Sequence, residues 1–303
     1  MNSAATKPEN EESLPAWRPR RSVQLVPSAV PRMLDKARSL HADILIFDLE
    51  DSVPPGDKVQ ARKNIAAARA QGGYVAREQA VKINAPFTPW GHDDLEFVIS
   101  QGIRLILFPT KNGWEDVEKI EAQLAGRPME LILAIESPAS VLDLPRIAER
   151  TKHTGALMLG PWDYTLSVGA IDSLTRLDDQ AGDEHLLFAR HMILNQARAK
   201  GWTAINGLLL KNPKDPVEFE HFARQSRRMG FDGCGTFYPP NMEIMNRVFS
   251  PTPADVDWAR HVCQVWDSRE PGRNAAVSPK GETVLVHHYA LAKHLLERVR
   301  LIG

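Results

Sequence analysis

Glu136 and Asp163 are the two residues of this chain best suited, by type and position, to do chemistry together. Each follows an apolar run: Leu131-Ile132-Leu133-Ala134-Ile135 precedes Glu136, and Ala156-Leu157-Met158-Leu159-Gly160-Pro161-Trp162 precedes Asp163. Such a run reads as a strand buried on both faces, so the acid after it is delivered to the strand's C-terminal end. On neighbouring parallel strands the two carboxylates come within reach of one ion. Two carboxylates that leave positions for water and substrate oxygens suit Mg2+, an octahedral cation usually held by one or two protein carboxylates. The structural alternative is that each acid caps the helix after it, because acidic side chains favour helix N-termini.

Two further runs also end in polar groups. Ile44-Leu45-Ile46-Phe47 leads into Asp48-Leu49-Glu50-Asp51, and Val81-Lys82-Ile83 leads to Asn84. Glu50 and Asp51 could contact metal-bound water, orient a basic side chain or simply begin the loop at Pro54-Pro55. Support of the site is the reading adopted, and Asp48 reads as a buried, hydrogen-bonded acid. Lys82 and Asn84 share a side by the period-two rule. A lysine there could bind a substrate carboxylate or carbonyl, form a Schiff base if desolvated, or sit in a barrel-interior ion pair. Beside Mg2+ a Schiff base is redundant, so the substrate cation is preferred. Lys82, Asn84 and Glu136 are thus the expected substrate contacts, and Glu50, Asp51 and Lys82 the expected catalytic group. His287-His288 is assigned to a solvated helix face, Trp90, Trp114 and Trp162 to packing or a pocket mouth, and Cys234 to a non-nucleophilic role.

These residues need a scaffold that brings many strand ends to one place. Strands are expected at 23–26, 44–48, 79–83, 105–108, 130–134, 156–159, 203–210 and 233–237. Helices are expected between them at 31–40, 58–70, 89–100, 114–124, 139–149, 184–200 and 215–229. Regular alternation without a Gly-rich phosphate fingerprint favours a (β/α)8 TIM barrel over an open doubly wound sheet. The barrel should occupy 22–250, after a flexible N-terminal tail at 1–21. Beyond Pro251-Thr252-Pro253, helices at 254–267 and 282–298 form an extension, at 251–303, that caps the site or reaches a neighbouring subunit.

At 303 residues the chain has the length of one barrel plus additions. Its 37 basic and 38 acidic residues nearly cancel, so no global field recruits nucleic acid or an anionic membrane. No apolar run approaches the ~20 residues of a membrane span, and no signal-peptide pattern opens the chain. Two cysteines make no disulfide framework or zinc spacing, and a cytoplasmic location is expected.

The same segments resemble the citrate lyase β-subunit family, within the HpcH/HpaI aldolase and citrate lyase group, from about Arg21 to Asp267. Asp48-Leu49-Glu50-Asp51-Ser52-Val53, Asn84-Ala85-Pro86, Ala134-Ile135-Glu136-Ser137-Pro138, Gly160-Pro161-Trp162-Asp163-Tyr164 and Gly230-Phe231-Asp232-Gly233 carry the resemblance. It implies a Mg2+-dependent lyase that cleaves or forms a carbon–carbon bond next to a thioester carbonyl, on citryl-, malyl- or related 3-hydroxyacyl-CoA substrates. It further implies that Glu136 and Asp163 hold the Mg2+ and that the chain forms a homotrimer. Thioester hydrolysis and non-catalytic binding of a 2-oxo acid or acyl-CoA are the alternatives. The chain departs from the family pattern at several places. Lys82 replaces the arginine of Arg-Val-Asn, Arg32 lies one position early, and Lys111 is displaced by one after Pro109-Thr110. Thr236-Phe237-Tyr238-Pro239-Pro240 replaces a His-Pro form, and Leu285 stands where relatives supply a catalytic aspartate.

Overall fold

Strands that are apolar on both faces need cover on both, and closing them into a barrel inside a ring of helices supplies it. In the computed structural model, which describes residues 18–170, 183–270 and 272–303, the strands are β1 (Ser22–Pro27), β2 (Ile44–Asp48), β3 (Glu78–Lys82), β4 (Leu105–Thr110), β5 (Glu130–Ile135), β6 (Thr154–Leu159), β7 (Thr203–Asn206) and β8 (Gly233–Thr236). They form one closed parallel barrel in chain order, and β1 closes on β8 with Ser22 opposite Cys234. The side chains divide by the two-residue period. Val23, Ile44, Ile46, Ile132 and Ile205 fill the barrel interior, whereas Leu45, Phe47, Ile106, Leu133 and Leu157 face the helices.

The helices around the barrel are α1 (Pro31–Lys36), α2 (Lys58–Gln71), α3 (Gly91–Ser100), α4 (Trp114–Leu124), α5 (Pro138–Leu142), α6 (Leu144–Arg150), α7 (Pro161–Ser167), α8 (Leu187–Lys200), α9 (Pro216–Met229) and α10 (Asn241–Val248). The single helix expected over 139–149 is two. Pro145 lies in the first turn of α6, and proline supplies no N–H to continue the ladder of α5. The expected seventh strand stops at Asn206 rather than running to residue 210. A Cβ on the next residue, Gly207, would lie 2.0 Å from the Leu159 carbonyl oxygen, so the chain is packed against β6 there and turns away. Helices α7 and α10 were not expected.

The N-terminal end of the barrel is held by charge. Residues 1–17 of the expected tail lie outside the described residues, but Arg20 is fully buried and pairs with Glu78 at 2.7 Å and Glu130 at 2.8 Å. Arg21 pairs with buried Asp43 at 2.7 Å. Two of the four residues of β8, Gly233 and Gly235, are glycine because the strand runs close to its neighbours there. A Cβ on Gly233 would lie 2.1 Å from the Arg20 carbonyl oxygen, and one on Gly235 would lie 2.5 Å from Met158 Cε.

Residues after 250 build α11 (Pro253–Asp267), the antiparallel pair β9 (Ala275–Val277) and β10 (Thr283–Leu285), and α12 (Val286–Ile302). The helix expected from Glu282 therefore begins at Val286. Thr283 to Leu285 pair with Val277 to Ala275, and Gly281 takes the positive φ of 84° that the turn requires. This extension has its own core of Val262, Val265, Trp266, Ala276, Val284 and Ala292, with Trp266 stacked on Tyr289 at 5.4 Å. It attaches at the N-terminal end of the barrel. Arg298 reaches Asp232, just before β8, at 3.2 Å, and Arg77, just before β3, donates to the carbonyl oxygens of Leu301 and Ile302. No helix among the described residues is long and apolar enough to cross a membrane.

Candidate active site

At the opposite end of the barrel the strands open into a cavity of about 480 Å3. Asp51, Lys82, Glu136 and Asp163 line it together with apolar residues from β1, β4, β6 and the loops after β7 and β8. This is the end at which barrel enzymes place their chemistry. None of the described residues of the extension lines it.

Glu136 is the first residue after β5. Its course is fixed by Ser137, which caps α5 in a box with Ser140, while the Glu136 N–H donates to Ser140 Oγ at 3.2 Å. The side chain is 4% exposed, and Oε2 has no hydrogen-bond partner among the described residues. Oε1 lies 3.9 Å from Lys82 Nζ. Burial pushes the carboxyl up to about 8, against the pull of Lys82 and with the push of Glu50 and Asp163. A buried, orphaned carboxylate oxygen is costly unless something arrives to meet it. Gly160 lets β6 end directly against this group, because a Cβ there would lie 2.4 Å from Glu136 Cγ.

Asp163 sits in the first turn of α7, which begins at Pro161. Its Oδ1 accepts from Lys111 Nζ at 2.9 Å, and its side chain is 36% exposed. Burial pulls the Lys111 ammonium down, but Asp163 and Glu136 hold it above its ordinary value. Both acids expected to share an ion thus line one cavity. Among the described residues no group of three or more His, Cys, Asp or Glu gathers into a metal site. Two carboxylates, one with an unpartnered oxygen, fit a hard cation that keeps most of its shell for water and substrate.

Lys82 ends β3 and is only 6% exposed. It is paired with Glu50 and, at 2.7 Å, with Asp51 Oδ2. Burial alone would lower its pKa, but Glu50, Glu136, Asp48 and Asp51 together hold it well above the ordinary value. It therefore stays an ammonium, the form unable to attack a carbonyl as a Schiff-base nucleophile. Burial raises Glu50 despite Lys82, while Asp51 is lowered because Lys82 outweighs its burial. Asp48 fixes the loop that carries both acids by accepting from the N–H groups of Glu50 at 2.8 Å and Ser52 at 3.2 Å.

Asn84 is placed elsewhere. Its amide donates to the Leu49 carbonyl oxygen at 2.8 Å and to Asp94 Oδ2 at 2.6 Å, and its oxygen accepts from Lys58 Nζ at 2.9 Å. The side chain is spent joining β2, β3 and α3, and it lines no part of the cavity. The histidine pair lies in α12 of the extension, Cys234 is buried with its thiol pushed up by desolvation, and Trp114 is in the core. Trp162 does line the cavity, and its indole N–H donates to the Leu208 carbonyl oxygen at 3.1 Å. Sequence reasoning missed the cavity's apolar floor of Leu25, Leu107, Ala134 and Met158. The signal was present as inward-facing strand positions near the C-terminal ends, which the period-two rule selects.

A closed parallel barrel with carboxylates and a buried ammonium at its C-terminal end belongs to the TIM-barrel class. The chain is a member of the HpcH/HpaI aldolase/citrate lyase family, whose model matches residues 21–239. It is 32% identical to a (3S)-malyl-CoA thioesterase of Cereibacter sphaeroides over 286 residues, which cover 94% of this chain and 96% of the relative. It is 30% identical to the citrate lyase subunit beta of Escherichia coli over 295 residues, 94% of this chain and 95% of the relative. Among solved structures, protein CitE from Mycobacterium tuberculosis in complex with magnesium, acetoacetate and coenzyme A superposes with a TM-score of 0.76. Its identity is 24%, over 92% of this chain and 97% of that one, and it supports the same fold.

Proposed function

We propose that the chain is a Mg2+-dependent carbon–carbon lyase acting on a carboxylated 3-hydroxyacyl thioester, with CoA as the carrier. The observation that carries this reading is the buried Glu136 oxygen left without a partner in a cavity it shares with Asp163. Magnesium bound to a solved relative agrees with it. Glu136 and Asp163 would hold the ion, and Asp163 would exchange its bond to Lys111 for it. Mg2+, when bound, polarises the substrate oxygens and stabilises the negative charge that develops. Lys82, held as an ammonium by Glu50 and Asp51, faces the substrate carboxylate or carbonyl, and Trp162, Leu208 and Phe237 limit the access of water. In the cleavage direction the hydroxyl gives its proton to the Asp51 carboxylate, which lines the cavity, and its electron pair becomes the carbonyl of a 2-oxo acid. The carbon–carbon bond then breaks toward the thioester, and the resulting enolate takes up a proton.

A second reading, thioester hydrolysis, is favoured by the 32% identity to malyl-CoA thioesterases and by Leu285. That residue occupies the position of the expected aspartate and lies in an extension of which no described residue lines this cavity. The deciding assay incubates the protein with malyl-CoA and citryl-CoA, with Mg2+ or with EDTA. Lyase action releases a 2-oxo acid and an acyl-CoA, whereas hydrolysis releases free CoA and the intact hydroxy acid. Turnover that survives both EDTA and Glu136→Ala would overturn the metal assignment.

A further inference from the structure

The cavity has two unlike halves. Its charged wall is Asp51, Lys82, Glu136 and Asp163, and its floor is made by the inward-facing Leu25, Leu107, Ala134 and Met158. Phe237, 56% exposed, and Trp162, 48% exposed, stand at the rim.

Around the charged wall four acids face two lysines. Glu50 and Asp51 are matched to Lys82, and Asp163 to Lys111. A divalent ion on Glu136 and Asp163 offsets those two acids, and the released Lys111 offsets the surplus acid beside Lys82, so the wall with its ion is about neutral. The ion's open positions can take a single substrate carboxylate, and no net positive charge remains for a second. No arginine lines the cavity among the described residues. The other polar groups there are committed or neutral. Trp162 Nε1 donates to Leu208 O, Thr236 Oγ1 accepts from Tyr238 N and Asn241 Nδ2, and a phenol such as Tyr238 supplies no cation. A second carboxylate would be desolvated against leucine and methionine with nothing to pair it, which costs far more than burying an alkyl group gains.

Resting on the function proposed above, we infer that the substrate's 2-oxo acid half carries an apolar substituent seated on the Leu25–Leu107–Ala134–Met158 floor, and that dicarboxylic 2-oxo acids are selected against. Met158 sets the depth of that floor. Its thioether end fills the space above Gly235, where an added Cβ would stand 2.5 Å from Met158 Cε.

The test is isothermal titration calorimetry of the full chain in excess Mg2+, with 2-oxohexanoate and 2-oxoglutarate as matched probes of similar length. Binding of the alkyl acid at least about tenfold tighter than the dicarboxylate is expected, from the cost of burying an unpaired charge. Equal or tighter binding of 2-oxoglutarate overturns the inference while leaving a 2-oxo acid site in place. If Mg2+ binds and neither acid does, the lyase reading falls as well. In Met158→Ala, checked for folding by circular dichroism, the preferred alkyl chain should lengthen. An unchanged chain-length profile in a folded variant overturns the placement of the substituent on this floor.

Discussion

Glu136 is a carboxyl that burial raises to about 8 from an ordinary 4.5. Between those values the folded chain holds a proton there that the unfolded chain has released. Stability falls as pH rises wherever the native state binds more protons, so this group supports the metal-free fold below about 4.5 and loses that contribution as pH climbs through about 8. A bound cation must displace the same proton. The thermal midpoint of metal-free protein should therefore fall across this window, and Glu136→Gln should flatten the slope. The increase produced by Mg2+ should be larger at pH 8 than at pH 6. An equal increase at both would rule out Glu136 as a ligand. Lys82 is the opposite case, a cation whose removal strands acids. Lys82→Met leaves Glu50, Asp51 and Glu136 facing one another and should cost about 3–5 kcal/mol in urea unfolding, the range for breaking a buried ion pair.

At the scale of elements, Gly160 decides how close β6 and the start of α7 come to β5. Gly160→Ala would drive a methyl into Glu136 Cγ. The expected outcome is a folded barrel by circular dichroism with Mg2+ affinity reduced at least about tenfold by calorimetry, in line with loss of ligand positioning. Retained affinity would mean that β6 can shift. Ser137→Ala removes the cap of α5 and should lower stability by about 1 kcal/mol. The strand ends at Asp48 and Glu136 were legible in the sequence because each follows or closes an apolar run of β length, whereas Asp163 lies past the end of β6, in the first turn of α7. The fate of Asn84 was not, since periodicity places a side chain on a face but does not reveal Lys58 and Asp94 waiting beside it. Nor does it reveal that Glu50 and Asp51, carried on a loop, would turn back onto Lys82. β10 reads as helix in the sequence because three residues are too few to show a strand period and Thr283 to Leu285 run directly into α12.

Over the whole molecule, the barrel is fastened at one end and open at the other. Arg20, Arg21, Glu78, Glu130 and Asp43 close the N-terminal end, where the extension also attaches through Arg298 and Arg77. The extension's separate core makes its loss separable from the barrel. Trp266→Ala should cost that core about 3–5 kcal/mol and expose residues 268–270, just after α11, to protease, leaving a barrel-sized fragment on a gel. Uniform digestion of the whole chain would instead mean that the two cores unfold together. The two glycines of β8 carry a consequence for how such a protein can diversify. Gly233 faces a backbone carbonyl that cannot move, so the position is closed to every other residue. Gly235, two residues along the same strand, meets only the flexible end of Met158. Alanine there would push the thioether aside and reshape the cavity floor without unfastening the barrel, giving descendants of this chain a route to new ligands that leaves the charged wall untouched.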